Sequence, residues 1–437
     1  MAKSYLQTNT RDSFVRTAFL TLLYFLFLYA FQVPGLPFGT VIPVLGILAV
    51  YTAYEFFKGN VRKEKTRTSK MLRTYWWWNV FLIAYVSIIL LIYGHGNGTT
   101  PQKDYLQMMI ILPLFFISGN LIFKDIKELL KILYIGVIIQ SFIIVVALFI
   151  PALSLGLFLL IPEGSFNSDA YGGIDMIMQT GYHIGLGVFT SAGSLRMAIG
   201  QIGACYYLIK SKGSKLITHL VLFFLITIAT SVVSRTGLLI SSVALLAVLF
   251  VKRKQGGSKA LGYFFLVCFI PLIGYYIISS FVSTDFLGET FRRLIDTADN
   301  GIHETYFRGY TGEGGDNTIP SISPETIIGL GITTGVSGSG ITSITDGGFL
   351  RNYSAMGLVV AIINYIILFS FFFKQYKSSK MYWYKGIILF MFCILLIGEF
   401  KEYYIYYVSP MCFFFLIFSL IERDEKQFNQ VDAHLVK

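Results

Sequence analysis

The stretch ILYIGVIIQSFIIVVALFIPA, residues 132–152, decides what kind of protein this sequence encodes. It contains no charged residue. An α-helix of this length extends about 30 Å, which is the thickness of the hydrocarbon core of a bilayer. We therefore interpret residues 132–152 as a membrane-spanning helix.

Similar apolar stretches recur along the whole chain of 437 residues, of which 55% are hydrophobic and 14% charged. Soluble domains carry about 25% charged residues, so an ordinary water-soluble enzyme is excluded. We predict an all-α polytopic membrane protein in which residues 1–437 form a single integral membrane domain. The twelve predicted transmembrane helices span residues 17–32, 39–57, 75–94, 105–123, 132–152, 193–209, 216–233, 236–251, 260–281, 349–373, 386–399 and 407–421.

The distribution of basic residues predicts the orientation in the membrane. With both termini in the cytoplasm, 27 of the 35 lysines and arginines fall in cytoplasmic segments, as the positive-inside rule requires. The net charge of +11 is therefore a consequence of topology. It suits contact with anionic membrane lipid rather than with nucleic acid.

Two of the predicted outer loops are long: residues 153–192, and the larger residues 282–348 between the ninth and tenth helices. Long loops in a compact protein usually form lids or binding sites. Every cytoplasmic segment is short, and the sequence contains neither GxxxxGK[ST] nor GxGxxG after a strand. We therefore expect any chemistry to take place on the outer face.

Metal and nucleophile chemistry have little support in the sequence. The five histidines show no metal-ligand spacing, the four cysteines lie in apolar runs, and no DxD pair occurs. We predict neither a bound metal nor a cofactor. The segment GVSGSG, residues 335–340, lacks the strand-turn-helix context of a nucleophilic serine and is interpreted as a flexible loop.

Arginines on the predicted outer face oppose the positive-inside bias. Arg235 follows Ser234 at the tip of a tight helical hairpin. Guanidinium groups bind phosphate through paired hydrogen bonds, so several arginines near the membrane surface could hold a lipid diphosphate. The alternative is that they pair with outer carboxylates. The candidate diphosphate-binding residues are Arg196, Arg235, Arg292, Arg293, Arg308 and Arg351.

Three residues are candidates for a general base: His303, Glu304 and Asp346. Glu304 and Arg308 stand four residues apart and could instead form a surface ion pair. A further acidic residue, Glu399, lies close to the bilayer and is interpreted as an interfacial anchor. Two tyrosines of the second loop, Tyr306 and Tyr310, are candidates for sugar contact, with an interfacial aromatic belt as the alternative.

Three features together resemble the Wzy-type polymerases of O-antigen and capsular polysaccharide, relatives of the O-antigen ligases. They are the long outer loop before a late helix, the hairpin segment at residues 234–239, and DGGFLRNYSAMGLVV at residues 346–360. Where the ligases have a His-Asn-x-x-Leu-like motif, this sequence has Asp346 in place of the histidine. That difference favours a polymerase over a ligase.

The resemblance implies polymerisation of undecaprenyl-diphosphate-linked oligosaccharide repeat units, which serve as donor and acceptor, on the periplasmic face of the bacterial inner membrane. Arg235 and Arg308 would hold the diphosphate, and one of the three candidate bases would accept the proton of the acceptor hydroxyl. Such a reaction is a metal-independent, inverting glycosyl transfer. A chain-length regulator and a flippase of the same pathway would be partners.

Two other functions fit the same topology. An O-antigen ligase would transfer glycan to lipid A core, and a flippase would transport lipid-linked oligosaccharide without joining units. Transporters usually carry charged groups at mid-membrane and show related halves. The predicted spans are almost uncharged, and the outer loops are uneven.

Overall fold

A computed structural model describes residues 2–32, 39–59, 66–93, 101–158, 160, 185–187, 190–254, 324–332 and 347–435. The named elements within these ranges are helices, and an isolated bridge joins Gln32 to Gly39. The α-helices are α1 (Ala2–Tyr29), α2 (Val41–Phe57), α3 (Arg67–Tyr93), α4 (Gln102–Ile122), α5 (Ile126–Phe149), α6 (Pro151–Phe158), α7 (Thr190–Lys210), α8 (Ser214–Val233), α9 (Arg235–Lys254), α10 (Pro324–Ile328), α11 (Gly348–Ser378), α12 (Tyr382–Lys401) and α13 (Val408–Leu435), with a 3₁₀ turn at Tyr404–Tyr406.

Several helices are longer than their predicted apolar stretches. Helix α3 begins at Arg67, eight residues before the predicted start, and α13 continues to Leu435, well beyond the predicted end at residue 421. Backbone hydrogen bonding continues into polar sequence, whereas hydropathy detects only the apolar part of a helix. The predicted helix at residues 260–281 lies outside the described residues.

Several of the described helices have the length and the apolar surface of membrane-spanning helices. Seven of them (α3, α4, α5, α8, α9, α11 and α12) are long and apolar enough to cross one. Large apolar side chains project from them, such as Leu91 with 86% of its surface exposed and Phe142 with 62%. Water would disfavour such surfaces and lipid accepts them. The prediction of an all-helical membrane protein is confirmed for the described residues, and the number of twelve spans stays a prediction.

The chain divides into two compact units. Unit 1 comprises residues 1–47 and 123–290, and unit 2 comprises residues 48–122 and 291–437. In unit 1, α7 packs against α5, α8 and α9. Gly203 of α7 lies against the Leu130 backbone of α5, where a methyl group would overlap the Leu130 carbonyl oxygen. Small residues thus let these helix backbones approach closely.

In unit 2, α13 packs against α3 and α4, and α11 packs against α12. Aromatic side chains fill this core: the Tyr75 ring lies 5.8 Å from Phe415 and 6.3 Å from Phe371, measured between centroids. Gly119 of α4 faces the Leu416 side chain of α13, which would have to shift to admit an added methyl group.

Helix α11 is broken at Gly357, which has φ 76° and ψ 167°. This conformation is open to glycine and strained for other residues, and a side chain here would overlap the Ile327 carbonyl oxygen. Asn352 donates a hydrogen bond to the Tyr365 hydroxyl at 2.6 Å. In a straight helix these residues would be about 20 Å apart. Residues 348–356 therefore form a short half-helix that folds back along residues 358–378, and the predicted single helix at 349–373 is corrected to a broken one.

A segment of the predicted second loop stabilises this break. The Leu330 and Gly331 N–H groups donate to the Ser354 and Ala355 carbonyl oxygens at 2.7 and 3.0 Å, and the Tyr85 hydroxyl donates to the Ile328 carbonyl oxygen at 2.6 Å. The carbonyl groups released where the helix is interrupted thus regain partners, as non-helical backbone at a membrane requires.

Candidate functional site

Most of the residues predicted to carry chemistry lie outside the described part of the chain. These are His303, Glu304 and Asp346 among the candidate bases, Arg292, Arg293 and Arg308 among the arginines, and the tyrosines Tyr306 and Tyr310. The backbone of Arg235 is described but its side chain is not. The structure therefore describes the side chains of two predicted residues, Arg196 and Arg351.

Arg196 lies in the first turns of α7 in unit 1. Its Nη1 atom donates to the carbonyl oxygens of Tyr29 and Gly187, each at 3.1 Å. Tyr29 is the last residue of α1, where carbonyl groups lack intrahelical partners. Arg196 therefore joins the end of α1 to residues 185–187 and the start of α7.

The hairpin that carries Arg235 is a sharp turn between α8 and α9. Ser234 is the single residue between the two helices, and its hydroxyl lies 2.8 Å from that of Ser194. Gly237 packs against the Thr230 carbonyl oxygen so closely that only glycine fits. Arg235 is the first residue of α9, and the first turn of that helix contains no acidic residue.

A line of polar groups continues from this turn into the core of unit 1. The Gln201 Nε2 atom donates to the Thr230 hydroxyl at 3.2 Å and to the Ser241 hydroxyl at 3.0 Å. All three side chains are buried. These bonds join α7, α8 and α9 within the core of unit 1.

Arg351 lies in the half-helix at residues 348–356 of unit 2. Its backbone N–H donates to the Gly347 carbonyl oxygen at 3.1 Å. The positive charge of Arg351 attracts the carboxylate of Asp104, which lies in the first turn of α4. Arg351 therefore has a carboxylate nearby, as the predicted alternative of pairing with outer carboxylates requires.

The most unusual polar group of unit 2 is the fully buried carboxylate of Glu399 in α12. Its Oε1 atom accepts from the Ile405 N–H at 2.5 Å. Its Oε2 atom accepts from the Tyr365 hydroxyl at 2.7 Å and from Asn352 Nδ2 at 3.5 Å. Glu399 is thus buried and does not have the exposed position expected of an interfacial anchor. We call Asn352, Tyr365 and Glu399 the Glu399 cluster.

The cluster depends on the broken helix. Asn352 comes from the half-helix, Tyr365 from the long part of α11, and Glu399 from α12. Gly348 adjoins the cluster, and a methyl group there would overlap the Glu399 carboxylate. The Phe349 ring packs on Tyr365 with 4.9 Å between centroids. The fold-back at Gly357 therefore brings together residues that sequence spacing keeps apart.

One atom of the cluster is left without a partner in the described part of the chain: the buried Oδ1 of Asn352. An unsatisfied buried acceptor costs roughly 1–3 kcal/mol. Neither Asn352 nor Tyr365 is among the predicted site residues. The signal in the sequence was Glu399 itself, because ionisable residues within apolar membrane helices are rare and commonly functional.

A second carboxylate of unit 2, Glu422 in α13, binds the start of α3. It accepts from the Arg67 N–H at 2.9 Å, and from the Thr68 N–H at 3.0 Å and hydroxyl at 3.1 Å. Burial alone would raise the pKa of Glu422. These hydrogen bonds, together with the charge of Lys426, hold its pKa below the usual value.

The described residues contain no group of three or more histidine, cysteine, aspartate or glutamate side chains that could hold a metal ion. His219 packs against tyrosines: its Nδ1 atom lies 2.9 Å from the Tyr134 hydroxyl, and its ring lies 5.1 Å from that of Tyr207.

An open apolar pocket of about 350 Å³ lies between α11 and α12 in unit 2. Its walls are almost entirely hydrocarbon and include Phe369, Phe373 and Phe392. Such a surface suits a hydrocarbon chain and offers no group for chemistry. Of the polar sites that the structure describes, the Arg235 turn of unit 1 and the Glu399 cluster of unit 2 are therefore the two candidates.

Comparison of the chain with protein-family models, with curated proteins and with solved structures finds no match.

Proposed function

We propose that the chain is a membrane glycosyltransferase of the Wzy type, which polymerises undecaprenyl-diphosphate-linked oligosaccharide repeat units at the periplasmic face of the bacterial inner membrane. The proposal includes twelve spans and cytoplasmic termini. It rests on the sequence resemblance and on an architecture whose described helices are suited to a membrane.

One observation carries the proposal: Arg235 is the first residue of α9, next to the paired hydroxyls of Ser194 and Ser234. The positive end of the helix dipole disfavours a cation there by about 0.3–1 kcal/mol. The positive-inside bias also disfavours it, in the proposed orientation. A bound diphosphate would reverse both effects, because free helical N–H groups and a guanidinium both bind phosphate oxygens.

The reaction that we propose is a single displacement. A hydroxyl of the acceptor unit attacks the anomeric carbon of the growing chain, and the bond from that carbon to the diphosphate breaks. The lipid diphosphate leaves with the bonding electron pair, and positioned cations stabilise its charge. The hydroxyl proton passes to a base, for which the sequence offers Asp346, His303 and Glu304.

The direct test is substitution of Arg235 in full-length protein reconstituted in vesicles. The substrate is lipid-linked repeat unit isolated from the bacterium that encodes the chain, and the readout is the ladder of polymer lengths. Charge-assisted hydrogen bonds contribute about 1.5–3 kcal/mol each. We therefore expect Arg235→Ala to lower the polymerisation rate about 10- to 100-fold. Arg235→Lys should fall between, because lysine cannot form the paired bonds of a guanidinium.

The matched control is Arg253→Ala, at the exposed other end of the same helix, which should polymerise normally. An unchanged ladder from Arg235→Ala would overturn its assignment. Transfer of glycan only to lipid A core would instead identify a ligase. Movement of lipid-linked units across the vesicle membrane without any polymer would identify a flippase.

A further inference from the structure

The apolar pocket between α11 and α12 has two different ends. At one end the rings of Phe369 and Phe392 lie 5.2 Å apart between centroids. At the other end lies Tyr376, seven residues further along α11, which corresponds to about 10 Å of helix. Both helices are long and apolar enough to cross a membrane. The pocket therefore runs along them in the direction that the acyl chains of a bilayer lipid follow.

Basic side chains are grouped at the Tyr376 end of the pocket. The Lys385 Nζ atom, in the first turns of α12, lies 5.5 Å from the centre of the Tyr376 ring. Lys374 and Lys377 flank Tyr376 in the last turns of α11, and both are exposed. The apolar sequence of α11 gives way to polar sequence at this point. The pocket thus combines a hydrocarbon interior with a positively charged end.

The acidic residues of the neighbouring helix α13 are bound to the backbone and to a tyrosine at this turn. Glu425 accepts from the Lys380 N–H at 2.7 Å, and Asp424 accepts from the Tyr384 hydroxyl. In the part of the chain that the structure describes, no carboxylate pairs with the three lysines at the Tyr376 end. An anion from outside the chain would therefore meet uncompensated positive charge there.

The combination matches the chemistry of a phospholipid. The positive-inside rule accounts for lysines at a cytoplasmic turn, but it does not require an apolar pocket beside them. A phospholipid joins hydrocarbon chains to a charged head group, and basic pockets between membrane helices bind anionic head groups. The pocket volume of about 350 Å³ also lies within the range of small-molecule sites, about 300–1,000 Å³.

We propose that this pocket binds an anionic phospholipid, with an acyl chain along its hydrocarbon walls and the phosphate at its Lys385 end. In the proposed orientation the turn at residues 379–381 faces the cytoplasm, so the lipid comes from the inner leaflet of the bilayer. The inference does not depend on the proposed function, because its test measures lipid binding and requires no polymerisation.

The test measures the melting temperature of full-length protein in detergent micelles as one of two phospholipids is added. Phosphatidylglycerol is anionic, and phosphatidylcholine with the same acyl chains has no net charge. A ligand of the folded state raises the melting temperature as its concentration exceeds its Kd. Each basic residue near an anionic lipid contributes about fivefold in affinity. We therefore expect phosphatidylglycerol to act at a concentration roughly 10- to 100-fold lower than phosphatidylcholine.

A triple variant removes the charged end of the pocket: Lys374→Gln, Lys377→Gln and Lys385→Gln. It should abolish the preference for phosphatidylglycerol and leave the effect of phosphatidylcholine unchanged. The matched control removes three exposed lysines from other predicted cytoplasmic segments: Lys127→Gln, Lys131→Gln and Lys215→Gln. The control has the same net charge as the first variant and should keep the wild-type preference.

A further variant, Leu389→Trp, tests the hydrocarbon part of the site. Leu389 lines the pocket and is 37% exposed, so a larger ring at this surface position reduces the pocket volume without disturbing the core. We expect both lipids to lose most of their effect on the melting temperature. Its control is Ile366→Trp, an exposed position of α11 that does not line the pocket, which should bind both lipids normally.

The alternatives give different results. Equal effects of the two lipids, or equal losses in the two triple variants, would overturn the charged end of the site. An unchanged response in Leu389→Trp would overturn the pocket. A stronger response to undecaprenyl diphosphate that Leu389→Trp abolishes would assign the pocket to an isoprenoid lipid and overturn the proposal. A lipid-free dimer that Leu389→Trp dissociates would assign it to a second copy of the chain, with the same consequence.

Discussion

Glu399 and Glu422 are both buried carboxylates of unit 2 that accept hydrogen bonds from backbone N–H groups, and they differ in what else they bind. Glu422 binds Arg67 and Thr68 at the start of α3, and Lys426 one turn along α13. Glu399 binds the turn after α12 and also reaches the half-helix and the long part of α11.

Helix capping explains the position of Glu422 but does not explain that of Glu399. An anion at the start of a helix is stabilised by the free N–H groups and the dipole, and Glu422 has that position. Glu399 lies at the end of its own helix, where the dipole disfavours an anion, inside a segment where a charge is costly. Three separate elements supply its hydrogen bonds, so its retention needs another reason.

The largest effect on stability is expected from Glu399→Ala. It removes the acceptor of the Ile405 N–H and of the Tyr365 hydroxyl, and each unsatisfied buried donor costs about 1–3 kcal/mol. We expect a loss of about 3 kcal/mol or more, measured as thermal unfolding in detergent. Glu422→Ala should cost only about 1 kcal/mol, the usual value for a helix cap.

Glu399→Gln belongs in the same experiment, because it keeps one acceptor oxygen for the Ile405 N–H and should lose less stability than Glu399→Ala. If Glu399→Ala and Glu422→Ala cost the same, the two carboxylates are equivalent caps and the contrast between them is wrong.

A smaller loss is expected when the half-helix is pushed away from Glu399. In Gly348→Ala the added methyl group would overlap the Glu399 carboxylate and the Glu402 carbonyl oxygen. Overpacking of this kind costs about 1–3 kcal/mol. We expect a lower melting temperature.

Gly46→Ala in α2 is the control, because a methyl group there meets no atom within 4 Å. It should leave the melting temperature unchanged or raise it, since alanine favours a helix over glycine. An unchanged melting temperature in Gly348→Ala would show that the half-helix does not pack closely against Glu399.

The fold-back also explains how far the sequence could predict this molecule. Apolar stretches of spanning length predict the helices, because a bilayer requires about 20 such residues. Hydropathy does not register the break at Gly357, since residues 355–363 on either side of it are apolar. The break depends on φ at one glycine and on Leu330 and Gly331, which lie in a predicted loop.

The candidate site was predictable to a different degree in each unit. Ser234 and Arg235 are adjacent in sequence, so the hairpin is visible as a polar interruption between two apolar stretches. Asn352, Tyr365 and Glu399 are separated by 13 and 34 residues. They come together only because α11 folds back and α12 packs on it. Sequence spacing therefore predicts the site at Ser234 and Arg235 but cannot predict the Glu399 cluster.

The smallest effect is expected at Glu422, as a dependence of stability on pH. The pKa of Glu422 is lower in the folded protein than the usual value. Its ionised form therefore stabilises the fold above the unfolded pKa of about 4.3, and this contribution is lost as the pH falls through the folded pKa. The difference in melting temperature between wild-type protein and Glu422→Gln should be largest near neutral pH and shrink below about pH 4.

Other carboxylates titrate in the same range, so this difference, rather than the wild-type curve, is the measurement. A difference that stays constant from neutral to acidic pH would mean that the hydrogen bonds from Arg67 and Thr68 do not depend on the charge of Glu422, and its role as a charged cap would be wrong.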